Sequence, residues 1–532
     1  MRDFHLPGRS PVFAANGMAA TSMPAATLAA LDVLRAGGNA LDAAIAAVAL
    51  LGVIEPHNTG IGGDCFCLYA PAGKRTVVAI NGSGRAPEAA RIDWFESQGL
   101  TALPDTSPHT VTVPGAVSAW ETLLNAHGTR SLGELLQPAI RAAEDGFAVT
   151  PRVAYDWARN ADKLRSTGAH SFLPGGQAPS VGDRFVQPAL ARTLRAIASG
   201  GARAFYEGEI AADMVATLRA RGGLHTEADF AAALHAAQFV EPIRTAWRGY
   251  DVWQCPPNGS GLLVLMILGI LGGWQPAADG PLGVTRLHRH IEAARLVYRD
   301  RDAFLADPSQ VEVPVGHLTS ADYLGALRGL IRDDVAMGEM PRAGEAELPA
   351  HRDTVYLCVV DRDGNACSFI NSLFASFGSA ILAEKSGVML HNRGLSFRLD
   401  RNHPNCIAPF KRPMHTIIPG MVTRDGEAVM PYGVMGGHFQ PMGQTLFLTN
   451  HFDYGLDVQE ALDWPRVLPL GGQVEVERGV PAAVVDGLAR LGHTIAQIEA
   501  PHGGGQAIRI DRARGLLIGG SDPRKDGCAL GY

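Results

Sequence analysis

The sequence predicts an α+β fold in which helices lie as a layer on antiparallel sheet, and three observations lead there. The stretch from Asp353 to Leu373 reads as a β-hairpin. Apolar and β-branched residues fill both arms, Thr354 to Asp361 and Ala366 to Leu373, and the Asp363-Gly364 pair between them supplies the positive φ that a tight turn demands. Near the N-terminus, two runs dense in Ala and Leu, Met23 to Ala36 and Ala40 to about Val53, read as helices. Their small side chains let backbones approach closely, which suits a helix layer on a sheet. Finally, a chain of 532 residues is too long for one simple core, so several domains or one large layered domain is expected.

Composition narrows the function classes. Hydrophobic residues make up 46% and charged residues 19%, the balance of a folded protein rather than a disordered one. A net charge of -7 without a long Lys/Arg run argues against a nucleic-acid surface, while a local pocket can still oppose the net sign and take an acidic substrate. The N-terminus lacks the apolar core of a signal peptide. The longest apolar run, Gly261 to Leu271, is too short to span a membrane, so a cytoplasmic protein with no membrane partner is expected. The seven cysteines are odd in number and scattered, and read as buried thiols rather than disulfides or a metal site. Cys65-x-Cys67 is too tight for a zinc knuckle and reads as one face of a strand.

In chain order, a small-residue strand, Met18 to Ser22, precedes the first helix, and Asn39 is placed to cap the second. The Gly-rich turn Glu55 to Asp64 leads into a strand at Cys65 to Ala70, without the spacing of a dinucleotide or phosphate loop. A further strand, Arg75 to Ile80, ends in the loop Asn81 to Pro87. There Arg85 suits the forking of a carboxylate, and a solvated loop cation is the other reading. Helices follow to His127, over Leu132 to Gly146, and on to about Arg221. Strand Gly249 to Gln254 turns into the apolar helix from Gly261, and helices His288 to Arg301 and Tyr323 to Ile331 complete the first two thirds. After the hairpin come strands around Met421 and Met430. The glycines of Val434-Met435-Gly436-Gly437-His438 then open a helix, Met442 to Phe452, either as N–H donors for a developing oxyanion or as a plain strand-to-helix turn.

The segment Arg332 to Arg352 is the clearest shift in composition: charged, aperiodic, holding Pro341 and Pro349, it reads as a linker. It ends just before Thr354. If the peptide bond ahead of Thr354 were cut, that residue would carry both a hydroxyl nucleophile and an α-amine to serve as its general base, since an α-amine has a pKa of about 8. Taken alone, Thr354 also reads as one of many strand threonines.

Taken together, these stretches resemble the γ-glutamyltransferase family of N-terminal-nucleophile hydrolases. The pieces that carry the resemblance are Ala36 to Ala43, Glu55-Pro56-His57 with Gly60 to Gly63, and Thr112 to Gly115. To them are added Asp353-Thr354 with Val359 to Asp361 and Gly364 to Ala366, Lys411 to Pro413, and Gly436-Gly437. The resemblance implies a four-layer αββα sandwich made as a proenzyme. It implies cleavage between Asp353 and Thr354 into a large subunit, residues 1–353, and a small one, residues 354–532, paired as a dimer of heterodimers. It makes Thr354 the nucleophile, Gly436 and Gly437 the oxyanion glycines, and Ser372 the second hydroxyl, with Asn371 an adjacent polar candidate.

Departures from the family pattern bear on the substrate. The position of the family's carboxylate-binding arginine holds Ser83, with Arg85 displaced by two residues. The acidic pair that holds an α-amino group aligns with Leu395-Ser396, its asparagine partner with Phe374, and two carboxylate-assisting serines with His415-Thr416. Carboxylate recognition is therefore expected to survive and amino-group recognition to be lost, because apolar side chains cannot pair a buried ammonium. This pattern resembles the oxamate amidohydrolase and acylase-like branch. A small-molecule amide substrate is expected, with no metal or organic cofactor. The other readings are a γ-glutamyl hydrolase or transpeptidase acting on glutathione-like compounds, and an uncleaved relative that binds a metabolite without catalysis.

Overall fold

A computed structural model describes residues 8–338 and 354–532. In chain order the strands of its main sheets are β1 (Val12–Ala14), β2 (Met18–Thr21), β3 (Asp64–Ala70), β4 (Val78–Gly82), β5 (Gln238–Val240), β6 (Ile243–Trp247) and β7 (Tyr250–Gln254), then β8 (Val355–Val360), β9 (Ala366–Ser372), β10 (Gly420–Arg424), β11 (Glu427–Met435), β12 (Gly504–Asp511), β13 (Leu516–Ser521) and β14 (Cys528–Gly531). One seven-stranded sheet has the order β14-β2-β8-β9-β3-β4-β5 and the other the order β1-β13-β12-β11-β10-β7-β6. Neighbouring strands in both run antiparallel.

Alternation along the strands decides the layering. In β8, Val355, Leu357 and Val359 enter a core shared with helices α1 (Pro24–Arg35) and α2 (Ala40–Ile54). Tyr356, Cys358 and Val360 enter a second core shared with Met421, Met435 and Ile508 of the opposite sheet. The outer face of that sheet is covered by helices α3 (Gly261–Leu271), α4 (Val284–Phe304) and α5 (Gln440–Phe452). The result is the four-layer αββα sandwich that the resemblance implied.

Helix α2 shows why its sequence is so rich in alanine: every one of its residues is buried. Asn39 caps it, accepting from the Leu41 and Asp42 N–H groups, while the Asp42 carboxylate accepts from the Asn39 N–H at 2.9 Å. Such a capping box is worth about 1 kcal/mol. The same helix start receives the hairpin, because the Asp361 carboxylate accepts from the Ala40 N–H (2.9 Å) and from the Asn365 N–H (3.0 Å). Two motifs far apart in sequence, Gly37-Gly38-Asn39-Ala40 and Asp361 to Asn365, thus meet through one carboxylate.

Several boundaries differ from expectation. The strand expected over Arg75 to Ile80 runs instead over Val78–Gly82, after Arg75 takes a left-handed φ of +51°. The helix expected over Leu132 to Gly146 breaks into Leu132–Leu135 and Gln137–Asp145, with a proline in the first turn of the second piece. A short 3-10 turn, Gly437–Phe439, precedes α5. All seven cysteines are free, and all but Cys528 are buried. The linker expected over 332–352 lies largely outside the described residues, as does Asp353.

Candidate active site

Thr354 immediately precedes β8, and its place follows from the alternation of the strand. It shares parity with Tyr356 and Cys358, the residues that face the opposite sheet. Its side chain is fully buried, and Oγ1 lies 3.1 Å from Oγ of Ser372 on the neighbouring β9. Ser372 Oγ also accepts from the Phe374 N–H at 2.9 Å. The backbone there is constrained: Phe374 holds a φ of +79°, which a side-chain-bearing residue adopts at a cost. Gly63 closes the other side, where a Cβ would fall 2.3 Å from the Ser372 carbonyl oxygen, so only glycine fits at this position.

The opposite sheet brings in the glycine pair. Ser368 of β9 donates to the Tyr432 carbonyl of β11 (3.3 Å) and shares a hydrogen bond with the Tyr356 hydroxyl (2.8 Å), so the end of β11 stacks over β8. β11 then leads into Gly436 and Gly437, with φ of +118° and +55°. A Cβ at Gly436 would lie 2.9 Å from the Gly503 Cα. The turn has a charged backing. The Phe439 ring stacks on His502 (4.9 Å between centroids), and Arg466 lies over Phe439 while donating to the His502 carbonyl at 2.6 Å. Asp522 pairs with Arg466, and Arg524 ties Asp522 (3.2 Å) to Glu477 (2.6 Å). A turn braced this way suits N–H groups that must stay aimed at a developing oxyanion.

A third group surrounds Asp64, the cross-strand neighbour of Ser372. Its Oδ1 accepts from the Gly84 N–H (2.9 Å) and Gly115 N–H (3.2 Å), joining the two Gly-bearing loops noted in the sequence. Its Oδ2 accepts from His415 Nε2 at 2.9 Å, with His391 Nδ1 3.6 Å away. Burial alone would raise this carboxyl, but His391, the His415 hydrogen bond and the Arg393 charge outweigh it and bring it to about 2. Burial, reinforced by Arg393, pushes His415 down to about 3, so its ring is neutral at pH 7 and donates Nε2–H to Asp64.

Arg393 is the member of this group that the sequence reading missed. It is fully buried, its Nη1 donates to Thr416 Oγ1 at 2.9 Å, and its Cζ sits 3.9 Å above the centroid of the Phe374 ring. Burial lowers its pKa to about 9, with Asp64 opposing the shift. A signal did exist: one arginine in an otherwise uncharged stretch, His391 to Phe397, that follows a buried strand.

Asn371, Arg85 and His415, three residues expected to contact the substrate, each have protein partners. Asn371 lies on the other face of β9, where its Nδ2 donates to Thr59 Oγ1 (2.8 Å) and the Gly60 carbonyl (3.1 Å), and its Oδ1 accepts from Trp120 (3.3 Å). Parity forbids it from joining Ser372. Arg85 donates to the Phe410 carbonyl at 2.8 Å and pairs with Asp307 at 3.6 Å, so its charge already has a protein partner. His415 packs edge-on against Phe66 and is engaged with Asp64, which makes it a support for the loops. Thr416 Oγ1 accepts from Arg393 Nη1.

Among the described residues, one set has metal-ligand spacing: His288, Glu292 and His493, on α4 and in the loop before residue 495, with ligand atoms within 4.8 Å of one another. Those atoms already have partners, since His288 Nδ1 bonds His493 Nε2 (2.8 Å) and Glu292 accepts from Arg295 (2.7 Å) and the Met337 N–H (2.7 Å). No helix among the described residues is long and apolar enough to cross a membrane.

The profile of a family described as gamma-glutamyltranspeptidase matches residues 26–532. The chain is 37% identical over 511 residues to the glutathione hydrolase-like YwrD proenzyme of Bacillus subtilis (strain 168), covering 94% of this chain and 95% of that one. It is 35% identical over 537 residues to the oxamate amidohydrolase proenzyme of Klebsiella pneumoniae subsp. pneumoniae, covering 97% and 98% respectively. The crystal structure of cephalosporin acylase from Bacillus halodurans matches with a TM-score of 0.90 at 38% identity, covering 100% of this chain and 99% of that chain.

Proposed function

Because the chain belongs to the gamma-glutamyltranspeptidase family, we propose that it is a self-processing amidohydrolase with Thr354 as nucleophile. Its substrate in this reading is a small amide that bears a carboxylate and no neighbouring ammonium group, oxamate being the simplest example. The observation that carries the mechanism is the Thr354 hydroxyl at the entrance of a central strand, buried and 3.1 Å from the Ser372 hydroxyl. Scission between Asp353 and Thr354 yields a large chain, 1–353, and a small chain, 354–532. The two stay together because β8 of the small chain pairs directly with β2 of the large one.

The freed α-amine takes the proton of Thr354 Oγ1, and the hydroxyl oxygen attacks the amide carbonyl. Gly436 and Gly437 N–H groups hold the oxyanion, and ammonia departs with the transferred proton. Water, deprotonated by the same amine, then releases the acid from the ester. Ser372 orients the nucleophile throughout. The choice of substrate is supported by Phe374 and Leu395, which leave an α-ammonium without a counter-charge at the positions where the family pattern supplies one. It is also supported by the 35% identity to the oxamate amidohydrolase proenzyme.

Side-by-side turnover of oxamate and a γ-glutamyl anilide by the processed protein tests this reading. Oxamate is expected to be hydrolysed with a kcat/KM at least tenfold above that of the anilide. Turnover of the anilide alone would establish the γ-glutamyl alternative and refute the reading of Phe374 and Leu395.

A further inference from the structure

We infer that Arg393 is the side chain that holds the substrate's carboxylate, through the side edge of its guanidinium. The inference rests on the amidohydrolase reading above for the identity of the substrate, and on this chain's own geometry for the site. Arg393 is fully buried, and only its Nη1 has a hydrogen bond among the described residues, to Thr416 Oγ1. Nε and Nη2 are buried with no hydrogen-bond partner among the described residues. Those two nitrogens form the side edge of the guanidinium, whose parallel N–H groups match the two oxygens of a carboxylate.

A buried cation left half-satisfied costs several kcal/mol, so a fold that keeps one has something to bring to it. The neighbouring carboxylate, Asp64, cannot serve. Its oxygens accept from Gly84, Gly115 and His415, and it acts on Arg393 only through space. The guanidinium plane is fixed from two sides, by Thr416 and by the Phe374 ring. Phe374 in turn donates its N–H to Ser372 Oγ, the partner of Thr354 Oγ1. Contacts thus run without a break from the carboxylate-binding edge to the nucleophile. They assign to Phe374 a second effect: by holding a cation where an asparagine would hold an ammonium, it turns the subsite from one that accepts α-amines into one that repels them.

The ligand class is therefore a small monoamide of a dicarboxylic acid, or the matching dicarboxylate product, with its free carboxylate close to the scissile bond and no amine between them. The test uses the purified, processed protein. Calorimetry with oxalate reads the subsite without requiring turnover, and oxamate kinetics are measured on the same preparations. Arg393→Gln and Arg393→Lys are compared with the parent, the lysine variant keeping the charge but not the fork. Chain processing on a denaturing gel and the thermal midpoint show whether each variant folds, and Arg393→Lys carries the test if Arg393→Gln does not.

The expected result is oxalate affinity weaker by about a hundredfold for Gln and at least tenfold for Lys. For oxamate, KM should rise far more than kcat falls. Unchanged oxalate affinity in a folded variant, or no oxalate binding by the parent, would overturn the assignment. If oxalate binding depends on Arg393 but oxamate is not hydrolysed, the assignment stands and the choice of substrate fails.

Discussion

Replacing Thr354 with alanine is expected to leave the protein as a single full-length chain on a denaturing gel, and to lower amide turnover by several orders of magnitude. Both effects follow from one lost atom, since in the proposed mechanism the same Oγ1 attacks the Asp353–Thr354 bond in the precursor and the substrate in the mature enzyme. The fold should survive. Removing Oγ1 deletes the buried hydrogen bond to Ser372, but Ser372 Oγ keeps the Phe374 N–H as a partner, and the loss of that bond costs about 1 kcal/mol. Circular dichroism and the thermal midpoint should stay close to the parent. Thr354→Ser retains a hydroxyl and should still cleave, more slowly. A cleaved and active Thr354→Ala protein would remove Thr354 from the chemistry altogether.

The second large effect is expected at Asp64. Its carboxylate accepts from two backbone N–H groups and from His415, and it is the anion that opposes the depressed pKa of Arg393. Asp64→Ala strands those donors in a buried site and leaves the cation uncompensated, a loss of about 3–5 kcal/mol. The denaturant midpoint should fall accordingly, and carboxylate binding should be lost with it as the Ser83-Gly84 and Thr416 loops relax. Asp64→Asn keeps the shape but not the charge, and its amide must face the His415 N–H, so an intermediate loss is expected.

The parent's pH dependence carries the same signature. The folded carboxyl is held at about 2, below its unfolded value of 3.8. Its contribution is therefore complete above about pH 4 and lost as pH falls toward 2. The stability gap between parent and Asp64→Asn should be constant from pH 5 to 8 and narrow below about pH 4. A gap of the same size at pH 3 and pH 7 would show that the charge of Asp64 does not contribute.

How much of this was legible in the sequence depends on the range of the signal. The hairpin was legible because Asp363-Gly364 specifies its turn and both arms are continuously apolar; Gly364 takes a φ of +88° and the register pairs Val355 with Asn371. Helix α2 was legible from its cap at Asn39. The placement of Asn371 was also within reach. A hairpin that pairs 355 with 371 gives Thr354 and Ser372 one face and Asn371 the other, and sequence proximity to Ser372 obscured that parity.

Arg393 was harder. It lies in a loop with no periodicity, and its importance comes from Phe374 and Thr416, which only the folded chain brings beside it. The surroundings of Arg85 were hidden for the converse reason: an arginine on a Gly-rich loop looks available until Asp307, in the loop after α4, is seen to pair with it. Local signals thus located the scaffold and the strand that Thr354 precedes. The electrostatics of the subsite, set by long-range neighbours, required the structure.

In the proposed mechanism, scission exposes the amine of the residue whose hydroxyl performs the attack. N-terminal sequencing of the smaller chain of the purified protein, on material that turns over substrate, tests it most directly. The small chain should begin Thr354-Val355-Tyr356. An active preparation whose small chain begins at any other residue, or which has no small chain, would contradict it.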